Sequence, residues 1–93
     1  MGMMEAKTLG VIQRRFAEKS AVVQREFSQS ESFRDLCRDY RACVTALAGW
    51  QEADSEQGRQ RSAEYAELLA ELNDEIEARL RASEDEGNET DGP

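Results

Sequence analysis

The sequence predicts an all-α protein: an antiparallel helical hairpin with an additional N-terminal helix, arranged as a three-helix bundle or a dimeric helical bundle. Three observations predict this class. Residues that favour helices, such as Ala, Glu, Arg, Gln and Leu, are abundant, whereas the 93 residues include one proline and six glycines. Charged residues make up 34% of the chain, a high share that is typical of long exposed helices. Apolar residues recur at spacings of three and four, which is the period of one helical face.

The N-terminal part predicts a flexible start over residues 1–7 and a first helix from Thr8. One apolar stripe, interrupted at Lys19, marks this helix: Leu9, Ile12, Phe16, Val23 and Phe27. Residues 28–32 contain three serines, which disfavour a helix interior and favour a helix start. We therefore expect a break there, with Ser28 and Glu31 as a capping box. One long fused helix that reaches a neighbouring chain stays open as an alternative, because heptad spacing continues across this segment.

Two long helices follow, over about residues 31–53 and 56–82. The stretch "ADSEQG" at 53–58 separates them, because Asp54 or Ser55 can accept hydrogen bonds from the first backbone N–H groups of a new helix. Residues that face each other in an antiparallel hairpin have numbers that add to a constant. Three apolar pairs give 112 or 113 and so centre the hairpin on this turn: Phe33–Leu80, Tyr40–Leu72 and Leu47–Tyr65.

The predicted core of the hairpin or dimer is the apolar stripe of these two helices. It comprises Phe33, Leu36, Tyr40, Cys43, Val44, Leu47, Trp50, Tyr65, Leu69, Leu72, Ile76 and Leu80.

Pairs between the first and second helices, such as Leu9 with Trp50, keep a constant sum near 59, which predicts that the first helix folds back onto the second. A hairpin of about 50 residues loses more conformational entropy than a dozen buried side chains return. We therefore expect a homodimer.

Charge is distributed unevenly along the chain, whose net charge is −8. Residues 1–30 carry five basic and three acidic groups, whereas residues 83–93 carry five acidic groups and no apolar residue. This pattern predicts one helical domain over residues 8–82 and a disordered acidic tail over 83–93. It disfavours a duplex nucleic acid as partner, since phosphate binding needs clustered Lys and Arg. Without a signal peptide or a membrane-length apolar segment, we expect a cytoplasmic protein with no membrane partner.

The residues that usually carry catalysis are sparse in this sequence. Histidine, the commonest general base, is absent. Cys37 and Cys43 are six residues apart, so on one helix they point about 120° apart and cannot form a disulfide with each other. Acidic residues such as Glu64 and Glu71 recur at helical spacing, which is typical of a solvated helix face. We expect no catalytic residue, no cofactor and no bound metal.

Two segments carry a resemblance to known proteins, "SFRDLCRDYRACVTALAGW" and "SAEYAELLAELNDEIEARL". Together they resemble small uncharacterised bacterial helical-hairpin proteins of coiled-coil-like composition. The matching residues include Phe33, Tyr40 and Trp50 in the first segment, and Tyr65 and Leu72 in the second. The resemblance covers about half of the chain. It implies a helical hairpin, and it brings no activity or cofactor.

These features together predict a non-catalytic protein–protein interaction module that forms a homodimer and docks to a further protein. Candidate contacts with a partner are Phe16, Val23 and Trp50, because Trp is enriched at the centres of interfaces. One alternative is a nucleic-acid-associated regulator that uses the basic residues of the first helix, such as Arg14 and Arg25. A second alternative is a thiol-based sensor that uses Cys37.

Overall fold

The computed structural model describes the backbone of residues 3–90 and the side chains of residues 5–85. Residues 1, 2 and 91–93, which belong to the predicted flexible start and the predicted tail, lie outside the described residues. The described part is all-helical and contains no β-strand. Its elements are α1 (Met3–Arg15), a 3₁₀ turn (Ala17–Lys19), α2 (Ser20–Gln29), α3 (Glu31–Glu52) and α4 (Glu56–Thr90).

The first predicted helix is divided into two by the 3₁₀ turn. Phe16 leaves the helical conformation, with φ −118° and ψ 54°, and its carbonyl oxygen accepts a hydrogen bond from the Lys19 N–H at 2.9 Å. Lys19, where the apolar stripe is interrupted, ends this turn and lies 3.6 Å from a carboxylate oxygen of Glu84. The two helices that result have different neighbours: α1 packs on α3, whereas α2 packs on both α3 and α4.

The predicted break near residue 30 is confirmed, and the fused helix does not form. Ser30 has an extended backbone, and its Oγ accepts a hydrogen bond from the Phe33 N–H at 3.1 Å. The cap is therefore Ser30 and not Ser28, whose Oγ donates to the carbonyl of Gln24 within α2. The Arg34 guanidinium donates to the Phe27 carbonyl at 2.7 Å, so it satisfies one of the free carbonyls at the end of α2.

The second break, between α3 and α4, also falls where the sequence predicts it. Of the two proposed caps, Ser55 is the one used: its Oγ accepts a hydrogen bond from the Gly58 N–H at 3.0 Å. Gly58 is buried against the end of α3. A Cβ atom at this position would collide with the Ala53 carbonyl oxygen and lie 2.9 Å from that of Trp50. The tight turn therefore requires glycine.

Helix α4 continues to Thr90, beyond the end at about 82 that the sequence predicts. Ser83, the first residue of the predicted tail, is buried. Its Oγ accepts a hydrogen bond from Arg25 at 2.6 Å and donates one to Glu26 at 2.7 Å. These contacts with α2 hold this turn of α4 in place. The disorder predicted for the tail stays a prediction.

The buried core lies where all four helices meet. It consists of Ile12, Phe16, Val23, Phe27, Phe33, Leu36, Cys37, Tyr40, Ile76 and Leu80. No large apolar side chain of residues 44–72 is fully buried, and we call this segment, the end of α3 and the start of α4, the arm. The molecule measures 59 × 26 × 21 Å, and its radius of gyration of 15.4 Å exceeds the roughly 12 Å of a compact domain of this length.

Helices α3 and α4 pack against each other, and their contacts are consistent with the predicted antiparallel hairpin. Cys43 contacts Tyr65 near the turn, whereas Ser32, at the other end of α3, accepts a hydrogen bond from Arg79. The start of α1 lies against the middle of α3, where Glu5 pairs with Arg38. We had predicted Leu9 beside Trp50. The difference arises because α1 ends at Arg15, so the residues after it do not continue its direction.

Candidate protein-interaction site

The residues of the predicted core fall into three groups of decreasing burial. Six are buried: Phe33, Leu36, Tyr40, Cys43, Ile76 and Leu80. Five are half-buried: Leu47, Trp50, Tyr65, Leu69 and Leu72. Val44 is 37% exposed. The division follows the architecture, because α1 and α2 cover the first group, whereas the arm consists of two helices that cover only each other.

Two of the three predicted partner contacts lie inside the molecule. Phe16 and Val23 are buried in the core, because the 3₁₀ turn separates α1 from α2 and each of these helices packs its apolar side on α3. They are therefore not available to a partner in this structure. Trp50, the third, is half-buried near the end of α3.

The most exposed large apolar side chain described is Leu68, at 43%, which we did not predict as a site residue. Its sequence signal is the pair of adjacent leucines, Leu68 and Leu69. Neighbours on a helix point about 100° apart, so both cannot face α3 at once. Leu69 packs against the core, and Leu68 is left on the rim of a groove.

This groove lies between α3 and α4, along one side of the arm and of the turn of α3 just before it, and has a volume of about 410 Å³. It is lined by Asp39, Ala42, Cys43, Ala46, Tyr65, Leu68 and Leu72, and we call it the arm groove. The small side chains of Ala42 and Ala46 make its α3 side low. The Cys43 thiol donates to the Tyr65 carbonyl at 3.3 Å, which joins the two helices at this level.

A second hollow, of about 630 Å³, adjoins the arm groove between α1 and α3. The two hollows share Asp39, Ala42 and Ala46, so α3 forms a low ridge between them. The far wall of the second hollow carries polar contacts between helices. Arg38 is 3.2 Å from Glu5, and Arg41 donates to Thr8 at 3.4 Å. The surface next to Leu68 is therefore a broad, shallow concavity with a charged margin.

The arginines of α3 have partners other than those that the hairpin pattern predicts. The hairpin sum of 112 places Arg38 opposite Asp74, but Arg38 pairs with Asp35 on its own helix and with Glu5 of α1. The hydrogen bond to Glu5 raises the pKa of Arg38, and Asp35 adds to this effect. The side of α3 that carries Arg38 therefore faces α1.

The basic residues considered for nucleic-acid binding are largely engaged within the chain. Lys19 is paired with Glu84, and Arg25 donates to both the hydroxyl and the carbonyl oxygen of Ser83. The Arg15 guanidinium lies over the Phe16 ring, 5.2 Å from its centre. A phosphate backbone would have to compete with these contacts.

Both cysteines are free thiols in buried surroundings. Burial raises the pKa of Cys37 to about 12, and the positive charges of Arg79 and Arg38 offset only part of this effect. Burial also raises the pKa of Cys43. Since the thiolate is the reactive form, neither environment activates its cysteine as a nucleophile or a sensor.

Within the described residues, no group of three or more acidic or cysteine side chains is placed to hold a metal ion. None of the helices described here combines the length and apolar character needed to cross a bilayer.

Comparison with known proteins identifies no family for this chain. No protein-family model matches it, and neither the curated proteins nor the solved structures contain a significant match. The site therefore has to be interpreted from its own geometry.

Proposed function

We propose that this protein is a non-catalytic protein–protein interaction module, in which an antiparallel helical hairpin with the N-terminal helices packed on it presents the arm for homodimerisation and docking. The exposure of Leu68 on the rim of the arm groove carries this proposal. A large apolar side chain beside an apolar hollow is the arrangement that protein interfaces use for their anchors.

The half-buried residues of the arm also support an interaction function. Leu47, Trp50, Tyr65, Leu69 and Leu72 are only partly covered within the chain. Together with Val44 and Leu68, they give the arm more exposed apolar surface than its two helices can cover. Exposed apolar surface beyond that of single scattered side chains marks interaction sites on soluble proteins.

The chemistry of the arm groove favours binding over catalysis. Among its seven lining residues, Asp39 is the one carboxyl group, and the other side chains with an exchangeable proton are the Tyr65 hydroxyl and the Cys43 thiol. The Cys43 thiol in its wall has a raised pKa and a hydrogen-bond acceptor. Two free thiols also fit the reducing cytoplasm, where we place the protein.

Site-specific photo-cross-linking tests this function. A photoreactive amino acid replaces Leu68 in one variant and Ala63, an exposed residue of the same helix that lines none of the hollows described above, in another. In illuminated cells we expect the variant at position 68 to form a defined adduct with protein, and the variant at position 63 to form none. If position 68 gives no adduct and the purified chain sediments as a monomer at micromolar concentration, the proposal is refuted.

A further inference from the structure

The occupant of the arm groove can be identified as a second copy of this chain. We infer that two chains associate through their arms about a two-fold axis, so that Leu68 of each copy enters the arm groove of the other above Ala42 and Ala46. This inference rests on the proposed interaction function and specifies its partner.

Shape is the first argument, because a projection and a matching hollow lie side by side on one face. Leu68 is the projection, and the hollow beside it is low on its α3 side, where Ala42 and Ala46 have small side chains. In a two-fold interface, residue i of one copy contacts residue j of the other, and the reverse contact follows from symmetry. One axis through this face would therefore seat both Leu68 side chains at once.

Surface area is the second argument. The chain exposes 6359 Å², whereas a compact monomer of 10.5 kDa exposes about 5400 Å². The excess over the whole chain, its ends included, is on the order of 900 Å², which leaves room for the roughly 800 Å² that each partner buries in an interface of standard size. An arm in a molecule 59 Å long has room for such a contact along its side.

Charge is the third argument. The exposed carboxylates Glu64, Glu67 and Glu71 follow the outer side of α4, on the same helix as Leu68. The margin of the concavity carries Arg38 and Arg41 together with Glu5 and Asp39, and Arg38 is paired with Glu5. When α4 of one copy lies over α3 of the other, this acidic row approaches the partner's arginine margin. Because two carboxylates accompany the two arginines in this margin, the attraction to the acidic row orients the contact more than it strengthens it.

A pair of matched charge substitutions tests the interface by sedimentation. Leu68→Glu places a carboxylate in the proposed contact, and Ala63→Glu adds the same group at an exposed position of the same helix. We expect the wild-type chain and A63E to sediment as dimers at micromolar concentration. For L68E the dissociation constant should rise by at least about 30-fold, as for an interface hot spot. Circular dichroism should show equal helix content in all three.

Mixed cross-linking tests the geometry without a charge change. One chain carries Ala46→Cys and another carries Leu68→Cys, and diamide serves as the oxidant. Both chains also carry Cys43→Ala, because the native Cys43 thiol lines the same groove and could react with the new one. Because the two new thiols are on different chains, a disulfide between them can form only across the interface. We expect much more covalent dimer from the mixture than from either variant alone.

The outcomes separate this inference from the proposed function. If L68E stays dimeric and the mixture gives no excess of covalent dimer, this interface is refuted, while a dimeric module that uses another face survives. If the wild-type chain is a monomer whose position 68 cross-links to a different protein, the self-association is refuted and the docking function stands. A wild-type monomer without any adduct refutes both.

Discussion

Gly58, the third residue of α4, shows how one missing side chain permits the turn between the two long helices. A Cβ atom there would meet backbone oxygens of Ala53 and Trp50, which cannot rotate away as a side chain could. We expect Gly58→Ala to lower the free energy of unfolding by about 1–3 kcal/mol, the usual cost of overpacking.

The matched control for Gly58 is Gly49, a glycine inside α3. No atom lies within 4 Å of the Cβ position at Gly49. Gly49→Ala should therefore raise the free energy of unfolding by about 0.5–1 kcal/mol, as alanine does in an open helix position. Urea denaturation of both variants measures the two effects. Equal shifts of the same sign would show that helix propensity alone decides, and that the close approach at Gly58 is unimportant.

Cys37 is expected to make stability depend on alkaline pH. Burial raises its pKa in the folded chain from the ordinary 9.0 to about 12. Between these values the unfolded chain loses its thiol proton while the folded chain keeps it, so the unfolded state becomes favoured as the pH rises. We expect the urea midpoint to fall between pH 9 and pH 10.5, and to fall less steeply in Cys37→Ala. Parallel pH profiles for the two chains would contradict this.

At the scale of elements, the start of α3 depends on one of the three nearby serines. Ser30 Oγ accepts the Phe33 N–H at 3.1 Å, whereas Ser28 Oγ bonds back to a carbonyl inside α2. Ser30→Ala should therefore cost about 1 kcal/mol of unfolding free energy, the usual value of an N-cap. Ser28→Ala, the matched control, should change it by less than about 0.5 kcal/mol. Thermal denaturation of both variants decides which serine caps the helix.

A helix end can be predicted from the sequence where the residues next to it determine it. The breaks near Ser30 and Ser55 are marked by serines, so they could be predicted within a few residues. The 3₁₀ turn at Ala17–Lys19 has no glycine, proline or serine, and only the interrupted stripe at Lys19 hints at it. The extension of α4 beyond residue 82 involves Ser83 bonding to Arg25, 58 residues earlier in the chain. Such long-range contacts leave no local pattern.

The candidate site was only partly predictable for a related reason. The spacing of apolar residues correctly identifies which of them share a helix face, but it does not say how many other helices cover that face. Phe16 and Val23 are buried because α1 and α2 fold over α3, and Leu68 is exposed because none of the described elements covers that side of the arm. Tertiary coverage, which the stripe does not encode, decides which apolar residues remain for a partner.

At the scale of the whole molecule, burial is concentrated in the part of the chain where four helices meet. Core residues such as Phe27, Phe33 and Ile76 are fully buried, whereas no large apolar side chain of the arm is. Local opening costs least where few apolar contacts are lost. In a monomer, the arm should therefore open more readily than the four-helix part, and dimerisation through the arm groove should suppress this opening.

Hydrogen–deuterium exchange measures this difference along the chain. In the monomeric L68E variant, amides of residues 44–52 and 56–72 should exchange at least about tenfold faster than in wild-type dimer, because the arm then has no second layer of helices. Amides near Phe27 and Ile76, inside the four-helix core, should exchange at similar rates in both. A63E, which leaves the interface intact, should match the wild type throughout. Equal acceleration over the entire chain would instead mean that the substitution destabilises the fold as one unit, and that the arm has no separate dependence on a partner.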